Sequence, residues 1–375
     1  MNIPQIPLQK ILEYARFAPS GDNTQPWILQ EKQTGLFALQ SNHPKEAPLE
    51  AYYSKSGTPF ALGTFLESIV ISARHFGFDT EITSDPYVYE EHDVVAYLKF
   101  TKNERIIDSD EEAFFLALPK RHVNRFSFFR RPLDTQHKTI LTRTVEEAGG
   151  SLHFIEGAEN LEKMGKLWGF HDDFYWDHDV LRENFRSLVH SDKKANQLRR
   201  GIPLSTLGLG ISQYFFPFAL YVARFFRLIR RIIRSQSQKT ALKLSCDSSA
   251  FGFIFLPKSP GKKIFEPGWE GFSYVEGGRI AQRLWLRATT LGLALQPTYT
   301  FVVMVSNEGN TELGEKFSTA NRQMLHLFRE IMPNIDQEML VFAFRIGYPR
   351  VSDAPASPRK NVAEILLKKE AVSSN

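Results

Sequence analysis

Two apolar, helix-length segments of this chain match each other position by position at a spacing of 215 residues. Gly63 corresponds to Gly278 and Gly77 to Gly292, since 278 − 63 and 292 − 77 are both 215. Between the paired glycines the apolar residues recur at helical spacing. We expect the first glycine to open each helix, where it lets a backbone or ligand approach, and the second to close it as a left-handed cap.

A strand-like apolar run follows each segment, at 94–100 and at 340–347. Two copies of a helix-and-strand unit predict a covalently joined pseudo-dimer with a first half at 1–118 and a second half at 119–375. The cleft between the halves would then be the natural ligand site. The alternative is that two buried amphipathic helices agree by chance.

The composition is that of a globular, aromatic-rich chain. With 375 residues and 42% hydrophobic content it can bury a sizeable core, and its 31 Phe and 12 Tyr suit a cleft for a planar ligand. A single cysteine, Cys246, excludes internal disulfides and cysteine-rich metal sites. The first ten residues carry no signal-peptide pattern, so we expect a cytoplasmic location.

The positive charge is concentrated in one stretch. The net charge is +4, but residues 191–240 hold ten Lys or Arg and one acid, which is +9 for that stretch alone. Because the basic residues are confined to this stretch, they argue against a nucleic-acid-binding surface that extends over the whole fold.

A Pro-bounded turn follows an amphipathic helix that begins near Leu8. Its sequence is Ala18-Pro19-Ser20-Gly21-Asp22-Asn23-Thr24-Gln25-Pro26-Trp27. The turn presents a hydroxyl and two amides beside an indole, an arrangement that can hydrogen-bond the edge of a heterocycle. From the residues alone, a structural turn around a buried Trp27 is the simpler interpretation.

This turn closely resembles the APSxxNxQPW signature of the nitroreductase superfamily, whose members depend on FMN. The resemblance covers residues 8–30, 60–135 and 245–365. It implies an α+β chain with a three-layer α/β/α nitroreductase-like fold, internally duplicated as in the single-chain branch of that superfamily, with a helical insert at about 165–243.

The implied activity is an oxidoreductase that passes electrons from NAD(P)H to a small organic acceptor by a ping-pong mechanism. The flavin carries the chemistry, so no catalytic side chain or metal is expected. The chain would be a monomeric pseudo-dimer or a further homodimer. The alternative, proposed for some members of the duplicated branch, is a flavin-binding or flavin-storage protein with little or no turnover.

The resemblance divides the FMN contacts between the halves. The first half would contact the ring, and the second would supply arginines for the phosphate and ribityl chain together with a Glu-Gly-Gly turn whose helix amides face the flavin. Val123 stands where the family usually has a hydroxyl residue. The complete set is Pro19, Ser20, Asn23, Gln25, Arg121, Val123, Arg125, Glu276, Gly277, Gly278 and Arg359.

The insert carries two patterns that can be interpreted in more than one way. The acidic run from His171 to Asp179 is compatible with a metal site, but a solvated acidic face at a helix start is the favoured interpretation. Gly201-Ile202-Pro203 resembles a loop near the open face of the cofactor.

The second pattern is the stretch from Tyr214 to Arg234, which predicts one amphipathic helix. Its basic face is formed by Arg224, Arg227, Arg231 and Arg234. These arginines interrupt the apolar run, which excludes a transmembrane helix. We favour a lid or packing helix that covers the flavin cleft with its arginines in water. Peripheral contact with an anionic membrane through 214–234 is the alternative.

Overall fold

The computed structural model describes residues 6–41, 56–84, 94–257, 269–310 and 314–367. The helices are α1 Leu8–Ala15, α2 Gly57–His75, α3 Ser109–Ala117, α4 Thr135–Glu146, α5 Ala158–Asp177, α6 Asp179–Leu188, α7 Asp192–Leu198, α8 Phe216–Val222, α9 Arg227–Cys246, α10 Trp269–Thr290, α11 Thr300–Ser306 and α12 Glu315–Ile331. The strands are β1 Trp27–Gln33, β2 Leu36–Ser41, β3 Phe78–Thr83, β4 Val94–Lys102, β5 Ser151–Ile155, β6 Val189–His190, β7 Ile202–Pro203, β8 Ala250–Leu256, β9 Ala294–Pro297, β10 Met339–Gly347 and β11 Leu366–Leu367.

Two sheets with the same internal order organise the chain. The first is β11-β1-β2-β4-β3 and the second is β5-β8-β10-β9. The strands of β1-β2-β4-β3 and of β5-β8-β10-β9 all pair antiparallel, and α2 and α10 occupy the same place between the second and third strands of their halves along the chain. The mixed α+β class is confirmed, and the matching order supports the predicted duplication.

Helices cover both faces of the second sheet. Phe342 on β10 faces Trp285 of α10, with ring centroids 6.3 Å apart. Phe253 on β8 contacts Phe301 of α11, with centroids 5.8 Å apart. Because β-strand side chains alternate between faces, these contacts place helices on opposite sides of one sheet, as in the expected three-layer arrangement.

The two matched helices cross each other at their glycines. A Cβ placed on Gly63 of α2 would lie 1.9 Å from the Val275 carbonyl oxygen of α10, and one on Gly278 would lie 2.1 Å from the Phe60 carbonyl oxygen of α2. Phe60 corresponds to Val275 at the spacing of 215, just as Gly63 corresponds to Gly278. The contact of Gly63 with Val275 and the contact of Gly278 with Phe60 are therefore equivalent, with the two helices exchanged. Reciprocity of this kind is what an isologous interface requires.

A pair of polar contacts follows the same rule. Gln282 donates from Nε2 to the Ser68 hydroxyl oxygen at 2.9 Å, and Arg283 donates from Nε to Glu67 Oε1 at 2.6 Å. At the spacing of 215, Glu67 corresponds to Gln282 and Ser68 to Arg283, so these two contacts are also equivalent with the helices exchanged. Arg279 donates from Nε to the second Glu67 oxygen at 3.0 Å, so this fully buried carboxylate has a guanidinium on each oxygen.

The predicted roles of the four glycines are half right. Gly77 and Gly292 follow their helices with φ of +79° and +70°, which confirms the left-handed caps. The prediction that Gly63 and Gly278 open helices is wrong, because both lie in helix interiors. They permit a close backbone approach between two helices rather than exposing an amide end.

The end of the chain returns to the first half. Strand β11 pairs parallel with β1, with Leu366 opposite Leu29. The predicted second half, 119–375, therefore contributes a strand to the first sheet.

The insert lies between β5 and β8 and differs from the prediction in one respect. The predicted single helix from Tyr214 to Arg234 is wrong, since α8 ends at Val222 and α9 begins at Arg227. Phe226 interrupts the helical path with an extended conformation, φ −117° and ψ 113°. None of the helices in the described part of the chain has the length and apolar character needed to cross a bilayer.

The helix crossing predicts the response to small substitutions. Gly63→Ala and Gly278→Ala should each lower the free energy of unfolding by at least about 1–3 kcal/mol, because the added methyl group meets a backbone oxygen that cannot rotate away. Urea unfolding of the purified variants measures this. Gly21→Ala is the control, because its Cβ meets nothing within 4 Å, and an equal loss in all three variants would contradict the crossing geometry.

Candidate functional site

The turn after α1 has a strained backbone. Asp22, Asn23 and Gln25 have positive φ angles of 50°, 56° and 52°. In the described part of the chain only one other non-glycine residue shares this conformation, Arg199 with φ 50°. Arg199 lies against the same turn. Strain of this kind concentrates at sites where function requires an unusual backbone and the surroundings enforce it.

Asn23 joins three distant segments. Its Nδ2 group donates to the carbonyl oxygens of Gly201 at 3.2 Å and Pro358 at 2.9 Å. Its Oδ1 accepts from Arg359 Nη1 at 2.7 Å. One buried amide thus fixes the turn, the insert and the C-terminal segment relative to each other.

Gln25, like Asn23, joins the turn to the insert and to the C-terminal segment. Its Nε2 group donates to the Arg199 carbonyl oxygen at 2.7 Å, and its Oε1 accepts from the Lys360 backbone amide at 2.8 Å. Gln25 is fully buried. We expected the two amides to meet a heterocycle edge, but both donate to protein carbonyls, so they hold the site together instead.

Pro19 and Ser20 are fixed by shorter-range contacts. Thr64 of α2 donates to the Pro19 carbonyl oxygen at 2.7 Å, and Ser20 Oγ accepts from the Gln25 amide at 3.0 Å. The Ser20 hydroxyl keeps its own hydrogen for donation. Trp27 belongs to the core, stacked on Phe65 with centroids 4.7 Å apart.

Arg121 is a buried cation whose donors are only partly satisfied. Its side chain is 2% exposed, and Nη2 donates to the Phe17 carbonyl oxygen at 2.9 Å. The guanidinium lies over the Trp285 ring at 4.4 Å. Within the described residues Nε and Nη1 have no hydrogen-bond partner. Burial, and secondarily the charge of Arg359, hold the pKa of Arg121 well below its usual value.

Arg359 is the neighbour that lowers this pKa. Burial, with a smaller effect from Arg16, lowers the pKa of Arg359 itself to about 10. Its Nε also lacks a partner in the part of the chain that the structure describes. Two guanidiniums from opposite ends of the second half therefore share a poorly solvated space with donors unused.

Arg125 lies nearby with a partial counter-charge. Burial lowers the pKa of Arg125, and Asp22 opposes this, while burial raises the pKa of Asp22 and Arg125 opposes that. Arg125 Nη1 donates to the Thr206 carbonyl oxygen at 3.3 Å, which ties it to the insert.

Arg345 was not predicted from the sequence, and it fixes the segment that carries Arg125. It is fully buried, donates from Nε to Gln296 Oε1 at 2.7 Å and from Nη2 to the Phe126 carbonyl oxygen at 2.8 Å. Its guanidinium lies 4.1 Å from the centroid of the Phe128 ring. Burial lowers the pKa of Arg345 to about 9. In contrast to Arg121, each of its nitrogens has a partner.

Four of the predicted cofactor contacts have protein neighbours in the structure. Val123 packs against the core of the second half. Glu276 pairs with Arg279, and Gly277 faces the Val341 side chain. Gly277 and Gly278 were expected to offer free amides at a helix start, which is wrong because amides inside a helix donate to carbonyls of the preceding turn.

The acidic run of the insert forms ion pairs with the basic helix. Asp177 lies 3.7 Å from Arg234 Nη1, and Asp179 lies 3.9 Å from Arg230 Nη1. Lys316 also pairs with Asp177. These aspartates therefore neutralise part of α9, and the Asp179 side chain stays 82% exposed, as the predicted solvated acidic face requires.

The cluster of Arg121, Arg125 and Arg359 is suited to binding a compact anion. Burying guanidiniums without partners is costly, and an anion placed among them recovers both charge compensation and hydrogen bonds. A phosphate monoester offers the several acceptor oxygens that the unused donors require.

Other residues at the cluster were missed by the sequence analysis. Arg16 donates to the Lys360 carbonyl oxygen at 3.2 Å, and Lys360 Nζ donates to the Gln25 carbonyl oxygen at 2.7 Å. Both are adjacent in sequence to motif residues. Their position beside Phe17 and Arg359 was the only signal that pointed to them.

Comparison with known proteins gives structural neighbours only. No protein-family profile and no curated protein matches the chain. An FMN-dependent nitroreductase of Mycobacterium smegmatis in complex with NADPH has a TM-score of 0.37 at 13% identity, covering 69% of this chain and 99% of that one.

Two further solved structures are comparable. A nitroreductase-like family protein of Bacillus cereus has a TM-score of 0.34 at 12% identity, covering 72% of this chain and 99% of that one. A nitroreductase of Desulfitobacterium hafniense with bound FMN has a TM-score of 0.36 at 9% identity, covering 71% and 100%. They come from the family that the sequence motifs resemble, but the assignment of function depends on the arginine cluster itself.

The contrast between two buried arginines gives a stability prediction. Arg121→Met should raise the free energy of unfolding of the ligand-free protein by about 1–3 kcal/mol, because it removes a buried charge whose donors are partly unused. Arg345→Met should lower it by about 3 kcal/mol or more, since each stranded buried acceptor costs ~1–3 kcal/mol.

Urea unfolding of the ligand-free proteins tests both variants together. If Arg121→Met destabilises the protein as much as Arg345→Met does, Arg121 is an ordinary structural residue and the anion site is not supported.

Proposed function

We propose that the chain binds FMN at the seam of its two halves and acts as a nitroreductase-like, NAD(P)H-dependent oxidoreductase. The observation that carries the proposal is the buried guanidinium of Arg121 together with the partly buried guanidinium of Arg359, each with an unused donor, beside the strained turn at 20–25. The resemblance of the Ala18–Trp27 turn to the nitroreductase signature supports it.

The residues of the cluster would have separate roles. Arg121 and Arg359 would hold the phosphate, and Arg125, partly neutralised by Asp22, would bind toward the ribityl chain. Asn23 would orient Arg359 through the 2.7 Å contact with its Nη1. Asn23 and Gln25 are thus positioning residues in this proposal.

The first half would meet the ring with Pro19 and the Ser20 hydroxyl, whose hydrogen is not needed by the Gln25 amide contact. When bound, FMN would supply redox chemistry between a nicotinamide nucleotide and a small organic acceptor, in a ping-pong sequence. The side chains would bind, orient and exclude water.

The arginines predict a loss of flavin retention on substitution. Arg359→Ala should weaken FMN binding about 10- to 100-fold, because it removes charge-assisted hydrogen bonds worth ~1.5–3 kcal/mol. Titration with FMN, followed by quenching of flavin fluorescence, measures the dissociation constant.

Arg143→Ala provides the charge-matched control, since Arg143 is exposed and pairs with Glu147 four residues away. It should bind FMN like the wild type. Equal dissociation constants for Arg359→Ala, Arg143→Ala and the wild type would refute the phosphate assignment.

Turnover distinguishes the enzyme from a storage protein. We expect the purified protein to be yellow, to be bleached by NADPH or NADH without oxygen, and to regain its colour when a quinone or nitroaromatic compound is added. A yellow protein that neither nucleotide reduces would instead be a flavin-binding or storage protein. A colourless protein that FMN cannot reconstitute would contradict both.

A further inference from the structure

Large apolar side chains are exposed in one short part of the insert. The described chain has sixteen exposed large hydrophobic residues, and half of them fall between positions 214 and 232. These eight form what we call the aromatic patch: Tyr214, Phe215, Phe218, Tyr221, Phe225, Phe226, Leu228 and Ile232. Tyr214, Phe215 and Phe218 are at least 70% exposed. Apolar residues gathered in this way mark an interaction surface.

The sequence favoured a lid or packing helix over the flavin cleft, and the exposure is inconsistent with a lid. A lid would turn the apolar side of this segment toward the protein, but Phe225, Phe226 and Leu228 face solvent. Another part of α9 packs on the protein: its Leu242 and Gln238 backbone lies against Gly165 and Gly169 of α5. The helix is held by that contact while its first turns project outward.

The arginines of the segment fall into two groups. Arg230 and Arg234 point toward Asp179 and Asp177, at 3.9 and 3.7 Å. Arg224, Arg227 and Arg231 are exposed alongside the aromatic patch. Neither Arg227 nor Arg231 has an acidic side chain within 4.0 Å among the residues that the structure describes.

The positive charge around the aromatic patch indicates what kind of partner the patch binds. From Lys193 to Cys246 the sequence contains eleven Lys or Arg residues and no Asp or Glu. A second copy docking through the same surface would bring like charges together, which is unfavourable. An anionic surface would be attracted by the arginines, and it would accept the aromatic side chains if it also has an apolar interior.

We propose that the aromatic patch, with Arg224, Arg227 and Arg231, docks the protein on the surface of an anionic lipid bilayer. Tyr and Phe side chains would enter the interfacial layer, and the three arginines would contact lipid phosphates. The segment remains interfacial, since α8 has only seven residues and the first turns of α9 are rich in arginine. The proposal does not depend on flavin binding, because the patch shares no residue with the arginine cluster.

Co-sedimentation with vesicles tests the proposal. We expect the full-length protein to bind vesicles of phosphatidylcholine mixed with phosphatidylglycerol, and to bind phosphatidylcholine vesicles at least about tenfold more weakly. Binding to the anionic vesicles should fall as salt is raised, because exposed charges are screened.

Two double variants separate the charged and apolar contributions. Arg227→Glu with Arg231→Glu should reduce binding to the anionic vesicles at least about tenfold. Phe218→Ser with Phe225→Ser should reduce it to a similar extent and should also abolish residual binding at high salt. The urea-unfolding midpoint should be unchanged in both, which shows that the variants fold whether or not the protein binds flavin.

Matched controls carry the same changes elsewhere on the surface. Arg143→Glu with Lys163→Glu reverses two exposed charges, and Leu116→Ser with Leu327→Ser removes two exposed apolar side chains. Both should bind like the wild type.

Two outcomes would overturn the proposal. One is wild-type binding that does not differ between anionic and neutral vesicles. The other is a stable dimer in sedimentation velocity that Phe218→Ser with Phe225→Ser dissociates, which would assign the patch to self-association.

Discussion

The close crossing of α2 and α10 is the constraint from which the rest of the arrangement follows. Backbone contact at Gly63 and Gly278 fixes the two halves relative to each other, and the ion pairs of Glu67 with Arg279 and Arg283 hold that contact inside the core. Thr64, one residue from the crossing, binds the carbonyl oxygen of Pro19. The same crossing that joins the halves therefore also positions the turn of the candidate site.

The site is built by segments that are remote in the chain and converge on this seam. Asn23 and Gln25 each bind the insert on one side and the C-terminal segment on the other, at sequence separations from 174 to 336 residues. Asn23 thereby holds Arg359 where its charge acts on Arg121, while Asp22 compensates only part of the charge of Arg125. Such an arrangement opposes folding of the ligand-free chain and favours an anionic ligand, so stability and function are in conflict at Arg121.

Local signals allowed some of this to be predicted. The left-handed caps at Gly77 and Gly292 depend on neighbouring residues and were predicted correctly. Gly63 and Gly278 were wrongly assigned to helix starts, because a glycine at a helix start and a glycine at a helix crossing look alike in a sequence. The predicted helix from Tyr214 to Arg234 is interrupted at Phe226. The sequence did not show this, because the apolar periodicity is insensitive to one extended residue. The contacts of Asn23 and the role of Arg345 depend on partners distant in sequence, which one sequence does not indicate.

We infer that a phosphate group supplies the negative charge missing from the cluster of Arg121, Arg125 and Arg359. The most direct measurement compares the dissociation constants of FMN and riboflavin for the flavin-free protein, because the two ligands differ only in the phosphate. We expect FMN to bind at least ~100-fold more tightly than riboflavin, because the phosphate makes two or more charge-assisted hydrogen bonds. Equal affinities for the two flavins would contradict it.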